Sequence, residues 1–191
     1  MPITLRAASR EDARDLARII DIAGEGLPGH LWARMAGPGE TPLDVGTARA
    51  ARDMGGFSWR NAHLAEVDGQ VAGGMISYRL GQDPEPLDDL PPLFRPLQAL
   101  ENRAPGSHYI NAIATLAPFR GRGVGRALMA QAAALGADAP ELSLIVSSGN
   151  APARRLYARL GYSERAREPM VGNGWRATGS HWVLMVRPMI H

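Results

Sequence analysis

Hydrophobic residues recur along this chain with two different periods, and the switches between them mark out its elements. Ile3–Ala7 alternates as a short first strand. Ser9-Arg10-Glu11-Asp12 has the form of a capping box with acidic residues in the first helical turn. Ala13, Leu16, Ala17, Ile20 and Ala23 follow at helical spacing and predict a helix of about four turns that stops at Gly24. Periodicity then disappears. Gly24–Pro42 is dense in glycine and proline and reads as a loop holding Glu25, His30, Trp32 and Met35. Thr41–Met54 predicts a second helix, with Thr41 as cap and Pro42 at its first position.

Asn61–Val67 and Val71–Leu80 alternate as strands around Asp68-Gly69, a hairpin signal. Gly73-Gly74 inside the second strand predicts a bulge or a close backbone approach. Gly81–Gly106 carries six prolines and the acidic residues Asp83, Glu85, Asp88 and Asp89, with Leu93–Glu101 as a short helix. A connection of that length is either functional or a disordered lid. Ser107–Thr115 reads as a strand, Val124–Leu135 as a helix capped by Gly136, and Leu142–Ser147 as a buried strand. Asn150 caps the next helix, Pro152 lies in its first turn and Gly161 ends it. Tyr162–Met170 and His181–Arg187 are the last strands, around a loop containing Trp175. No repeat or linker interrupts the 191 residues, which predict a single α/β domain over 1–191 with a proline-rich insertion at about 81–106.

Composition narrows the function. A hydrophobic share of 45% and a charged share of 21% are ordinary for a soluble globular protein. A net charge of +2 gives no broad electrostatic footprint for nucleic acid. All 21 basic residues are arginine, which codon bias explains without a phosphate-binding specialisation. Without cysteine there is no disulfide, thiolate nucleophile or cysteine metal site. His30, His63, His108, His181 and His191 lack ligand spacing, so no metal is expected. Met1-Pro2-Ile3-Thr4-Leu5-Arg6 lacks the apolar core of a signal peptide and no later run is long enough to span a membrane, so a cytoplasmic location is expected.

Chemistry concentrates at Phe119-Arg120-Gly121-Arg122-Gly123-Val124-Gly125-Arg126-Ala127-Leu128, between a strand and a helix. Glycines on alternate positions let backbone N–H groups converge, and a helix N-terminus stands behind them, as phosphate binding requires. Arg120, Arg122 and Arg126 place full charges at the rim. A P-loop needs a Gly-Lys pair, and the chain has no lysine. A dinucleotide fingerprint needs G-x-G-x-x-G, whereas Arg126 occupies the third required position. Plain turn chemistry remains the alternative for this stretch alone. A second pattern lies downstream: Asn150-x-x-Ala153-x-x-Leu156-Tyr157-x-x-x-Gly161-Tyr162.

Together the two patterns resemble the GNAT superfamily of acyl-CoA N-acyltransferases, over about Ser107–Tyr162. Arg120, Gly123 and Gly125 fall on the fixed positions of that family's pyrophosphate loop, [QR]-x-x-G-x-[GA]. The resemblance implies a mixed, mostly antiparallel twisted sheet, splayed between strands 4 and 5 and flanked by helices. It implies acetyl-CoA as cosubstrate, with its pyrophosphate on Arg120, Gly121, Arg122, Gly123, Val124, Gly125 and Arg126. The pantetheine arm would lie along Ile113, Ala114 and Thr115 and contact Asn150 and Ala153. Thr115 stands where valine is usual and Pro118 is displaced by one residue, changes that backbone contacts tolerate.

Tyr157 matches the family's general acid; a phenol with a pKa near 10 is protonated at neutral pH. The family's base position on the fourth strand falls on Tyr109 or Asn111, neither of which is a good base, so Asn111 would act by positioning water. Glu25, Glu66 and His108 are outside candidates, each better explained structurally. The implied activity is direct transfer of an acetyl group to a primary amine, on a small molecule or a protein, in a ternary complex. No metal, nucleic acid or membrane enters, and a homodimer is left open. The rivals are a non-catalytic acyl-CoA-binding module and, less well matched to the net charge, a nucleic-acid-binding domain.

Overall fold

The structure, a computed structural model, describes residues 2–172 and 174–189; His191, the last histidine weighed as a metal ligand, lies outside them, as does Met1. Seven strands form one sheet in the order β1-β2-β3-β4-β5-β7-β6. These are β1 (Ile3–Ala7), β2 (Ala62–Val67), β3 (Gln70–Arg79), β4 (His108–Thr115), β5 (Glu141–Ser147), β6 (Ser163–Pro169) and β7 (His181–Pro188). The helices are α1 (Ala13–Ala23), α2 (Leu27–Met35), α3 (Pro42–Ala50), α4 (Arg95–Glu101), α5 (Val124–Leu135) and α6 (Ala151–Arg159). The β1–β2, β2–β3, β5–β7 and β6–β7 pairs are antiparallel, and β4–β5 is parallel. The expected mixed α/β sheet is therefore present. Ladder partners on β5 are formed by three of the eight residues of β4, His108–Ile110 against Leu142–Leu144.

The chain clusters into two compact units, and it passes from one to the other after Tyr78 in β3, after Ile110 in β4 and after Ala134 in α5. The first holds the chain up to Tyr78 together with Asn111–Ala134. Its core is built by Leu16, Ile19 and Ile20 of α1, Trp32 of α2, Ala50 of α3, Leu64 and Ile76 of β2 and β3, and Ala112 and Ala114 of β4. The amphipathic stripe read for α1 is thus the buried one. Ahead of it Ser9 and Asp12 frame a 3₁₀ turn in which the Asp12 carboxylate accepts from both the Ser9 N–H (2.7 Å) and its hydroxyl (3.0 Å).

Two local readings need correction here. Gly24–Pro42 is not all loop, because α2 occupies Leu27–Met35. Gly26 in the left-handed conformation (φ 82°) starts the helix, and Pro28 sits in the first turn, where its missing N–H costs nothing. Trp32 is buried while Met35 is exposed. The second predicted helix ends earlier than its pattern, at Ala50, although Thr41 caps it as expected; the structure adds the reciprocal bond from the Thr41 N–H to Asp44. At the β2–β3 hairpin Asp68 and Gly69 both take positive φ (52° and 75°), which the right-handed twist of the paired strands favours. The register shifts where Ala65 faces Gly73 and Glu66 faces Val71. The extra residue, Ala72, accepts from the Leu116 N–H at 2.8 Å.

The second unit holds Arg79–Ile110 and the chain from Leu135 onward. Here α4 packs on β6 and β7. Ser107 and Ser143, both fully buried, share a 2.6 Å hydroxyl bond, and the Ser107 hydroxyl lies 2.7 Å from the Ala104 carbonyl. Gly136 follows α5 but is not left-handed; a Cβ there would sit 2.6 Å from His108 Cβ, so close packing, not a cap, requires glycine. The insertion is pinned at its base by the Gly106 N–H on the Gly81 carbonyl (2.9 Å). Across it the Asn102 side chain bonds both the N–H and the carbonyl of Glu85, each at 2.9 Å.

Candidate active site

The glycine turn belongs to the first unit. Ala117–Phe119 makes a 3₁₀ turn, Arg120 is extended, and Gly121 and Gly123 take φ of 76° and 87°. Those two positions need glycine for conformation, since a side chain at such φ is strained. The third glycine differs: Gly125 is inside the first turn of α5. The first bond that closes the helix runs from the Ala127 N–H to the Gly123 carbonyl (3.0 Å). The amides of Val124, Gly125 and Arg126 precede it and reach no helical carbonyl. A Cβ at Gly121 would meet nothing within 4 Å and one at Gly123 only Ile3 Cδ1 at 3.9 Å, so the turn stands clear of neighbouring atoms.

Eleven ion pairs occupy other arginines, yet among the described residues none of Arg120, Arg122 and Arg126 forms one. All three are exposed. Arg122 lies over the Phe119 ring at 5.6 Å, and Arg120 Nε is 3.5 Å from the Thr115 carbonyl. Uncommitted amides, uncommitted cations and open space fit a pyrophosphate group.

β4 leads into this turn. Its burial alternates from Asn111 onward, with Ala112 and Ala114 buried and Asn111, Ile113 and Thr115 half-buried. Gly73 of β3 permits the strand to lie where it does: a Cβ there would be 2.5 Å from the Ala114 oxygen and 3.1 Å from Thr115 Cα. Asn111 donates from Nδ2 to the Tyr78 hydroxyl at 2.9 Å, and Gly56 closes over the pair, its would-be Cβ 2.9 Å from that hydroxyl. The amide of Asn111 is therefore held, with no carboxylate or imidazole beside it in these contacts.

Asn150, Ala153 and Tyr157 all lie in the second unit, on α6 or at its cap. Asn150 Oδ1 accepts from the Ala153 N–H at 3.2 Å, the capping bond expected of it. Left-handed Gly161 (φ 88°) ends the helix, and the Tyr162 N–H bonds the Tyr157 carbonyl at 3.0 Å. Tyr157 is buried beside Tyr162, ring centroids 6.0 Å apart, and burial pushes its hydroxyl up to about 12. It stays protonated throughout the physiological range.

The outside candidates for a base have structural tasks. Glu66 accepts from Arg6 at 2.7 Å in a bridge that continues to Asp12, and His108 is buried against Gly136. Glu25 takes a positive φ of 54° at the turn between α1 and α2. Sequence reasoning passed over Glu101, at the end of α4. Its carboxyl is half-buried, bonds the Tyr109 hydroxyl, and is raised by burial to about 7. The only trace in the sequence is its place at the end of the short helix read for Leu93–Glu101. Among the described residues no group of histidine and acidic side chains could hold a metal, and no helix is long and apolar enough to cross a membrane.

Comparison with solved structures finds the same fold in proteins of low identity. An N-acetyltransferase from Staphylococcus aureus Mu50 is 21% identical with a TM-score of 0.66, over 96% of this chain and 99% of that one. The polyamine N-acetyltransferase of Drosophila melanogaster, which forms N-acetylagmatine, is 14% identical with a TM-score of 0.64, over 98% and 100%. A putative acetyltransferase of Salmonella typhimurium, solved with acetyl-CoA, is 17% identical with a TM-score of 0.60, over 100% and 96%. No curated protein sequence matches the chain. The profile of the acetyltransferase (GNAT) family matches residues 34–162, which takes in the glycine turn, β4 and α6 alike. The chain belongs to the GNAT acetyltransferase family.

Proposed function

We propose that this protein is an acetyl-CoA-dependent N-acetyltransferase that passes the acetyl group directly to a primary amine in a ternary complex. The observation that carries this reading is the turn at Gly121 and Gly123, whose unused amides and unpaired arginines suit a pyrophosphate. Residues 1–191 are read as one acetyltransferase domain, because the family match runs through both compact units. Bound acetyl-CoA supplies an activated thioester carbonyl. Arg120, Arg122, Arg126 and the amides of Val124–Arg126 take its phosphates, and Ile113, Ala114 and Thr115 offer strand backbone to its pantetheine arm. Asn150 and Ala153, at the start of α6, are assigned to the same arm. Asn111 orients water.

Tyr157 donates the proton that the departing thiolate needs. Its hydroxyl, at about 12, is a weaker acid than a thiol. It therefore gives up its proton only as the second proton of the new amide nitrogen replaces it, so that a free phenolate never accumulates. General acid catalysis of this kind is worth about 10²–10⁴-fold. Tyr157→Phe should lower kcat by that factor and leave the acetyl-CoA KM nearly unchanged. Gly123→Glu should abolish acetyl-CoA binding in calorimetry, and full affinity in that variant would remove the site. The second reading, an acyl-CoA-binding module, draws on Asn111 being no base. A parent protein that binds acetyl-CoA but acetylates no amine in a broad screen would favour it.

A further inference from the structure

An asparagine side chain can present either of two ends, an oxygen that accepts or a nitrogen that donates, and the two are nearly equal in size. Which end faces a reactant decides what the residue can do, so an asparagine at a reacting centre needs a neighbour that fixes it. Asn111 has one. Its Nδ2 donates to the hydroxyl of Tyr78 on β3 at 2.9 Å. That hydroxyl is itself held in place, because the Tyr78 ring packs on the core that Ile76 and Ala112 help to build.

Gly56 covers the nitrogen end of the pair: a Cβ there would lie 2.9 Å from the Tyr78 hydroxyl and 3.2 Å from Asn111 Nδ2. The segment that carries Gly56 is pinned in turn. The Gly55 carbonyl accepts from the Ser58 N–H (3.1 Å) and from Asn61 Nδ2 (3.3 Å), and the buried Ser58 hydroxyl donates to the Arg52 carbonyl (2.7 Å). Oδ1 is the end left over. Among the described residues no group donates to it, and it is not one of the buried atoms left without a partner, so solvent reaches it.

On the function proposed above, chain direction sets where this oxygen lies relative to the reaction. The glycine turn follows Thr115. A pantetheine arm that starts from the turn and runs back past Thr115 and Ile113 has its thioester end towards Asn111. At about 3.3 Å per residue, Asn111 stands about 7 Å beyond Ile113. Tyr78, Gly56, Asn111 and the glycine turn all belong to the first unit, so this order holds within one compact body.

We propose that Tyr78 is a positioning residue for the acetyl transfer: it holds the Asn111 amide with its oxygen towards the reacting end of β4. A water that donates to Oδ1 there keeps its lone pairs for the N–H of the amine. With the amide reversed, the nitrogen would donate to that water and engage a lone pair that the amine needs. No bond to Tyr78 forms or breaks in the reaction, so its effect passes through Asn111.

The test is a double-mutant cycle on kcat for the full-length protein, with acetyl-CoA and a panel of primary amines. Tyr78→Phe keeps the packed ring and removes the hydroxyl. It should lower kcat about 3–10-fold, the worth of one neutral hydrogen bond, while acetyl-CoA affinity in calorimetry matches the parent. Asn111→Ala should be slower still. The variant carrying both changes should be no slower than Asn111→Ala alone, since Tyr78 then has nothing to orient. A role in packing alone would slow both backgrounds by the same factor. Equal slowing in both backgrounds, or parent kcat in either single variant, overturns the role and leaves the acetyltransferase reading standing. A parent that acetylates no amine in the panel overturns both.

Discussion

Gly73→Ala tests how β4, the strand proposed to meet the pantetheine arm, is seated. Gly73 does not have positive φ, so alanine is conformationally allowed and any effect must come from packing. The added Cβ would lie 2.5 Å from the Ala114 oxygen, 3.1 Å from Thr115 Cα and 3.1 Å from Val124 Cγ1. Ordinary contact begins at 3.4 Å, and two of these three neighbours are backbone, which cannot rotate away. β4 and β3 must therefore separate by something on the order of 1 Å at Ala114–Thr115. Overpacking of this kind costs about 1–3 kcal/mol. Loss of glycine's freedom in the unfolded chain returns about 0.4–1 kcal/mol. A net loss of about 1–2 kcal/mol remains, and at roughly 2–4 °C per kcal/mol for a chain of this size Tm should drop by about 2–8 °C. Because the strand moves at the proposed pantetheine contacts, acetyl-CoA affinity should fall as well. Gly74→Ala is the control: its Cβ presses on Leu64 Cδ2 at 2.8 Å, Ile19 Cδ1 at 2.9 Å and the His63 oxygen of β2 at 3.0 Å, none of which belongs to β4. That variant should lose stability but keep affinity. Thermal unfolding and calorimetry on the two variants decide the matter. Equal loss of affinity in both, or none in Gly73→Ala, would refute the argument.

Arg6 bridges Asp12 (2.8 Å) and Glu66 (2.7 Å), and its hydrogen bond, ahead of every other cause, holds the Asp12 carboxyl down at about 2. A depressed carboxyl adds stability above its ordinary range near 4 that is lost as pH falls towards 2, so Asp12→Asn should flatten acid unfolding in that window. Glu101 has the opposite sign, raised by burial from 4.5 to about 7, so its contribution is intact below 4.5 and is lost as pH rises through 7. At about 1.4 kcal/mol per unit this amounts to about 3 kcal/mol, and Glu101→Gln should therefore be more stable than the parent at pH 8 and no more stable at pH 4 in urea titrations. A pH-independent difference between the two proteins would show that the carboxyl is not buried as described.

What the sequence made legible was local. Asp68-Gly69 demanded positive φ, Thr41 and Asn150 demanded a helix start, and the glycine turn demanded crossing from strand to helix; each was found where expected. Where a neighbour distant in the chain decides the outcome, the same reasoning misread the residue. Gly29 looked like a loop signal, yet it sits inside α2, its N–H 2.7 Å from the Asp21 carboxylate of α1, where a Cβ would collide with that oxygen. Gly136 looked like a cap and is a packing contact with His108. Asn111, proposed to orient water, also has its amide bonded to Tyr78, a partner thirty-three positions earlier that no local pattern reveals.

Glu101 is the strongest case. A glutamate at the end of a short helix in an acidic, proline-rich stretch reads as a solvated charge, since charged side chains are almost never buried unless paired. Its partial burial goes with α4 lying on β6 and β7 and with the Gly81–Gly106 bond that closes the base of the insertion. Both contacts join segments whose pairing no local pattern encodes. The chemistry of a carboxyl depends on how much water it keeps, and water is lost through tertiary contacts. For that reason the glycine turn and Tyr157 could be singled out from sequence, while the raised carboxyl of Glu101 emerged only with the fold.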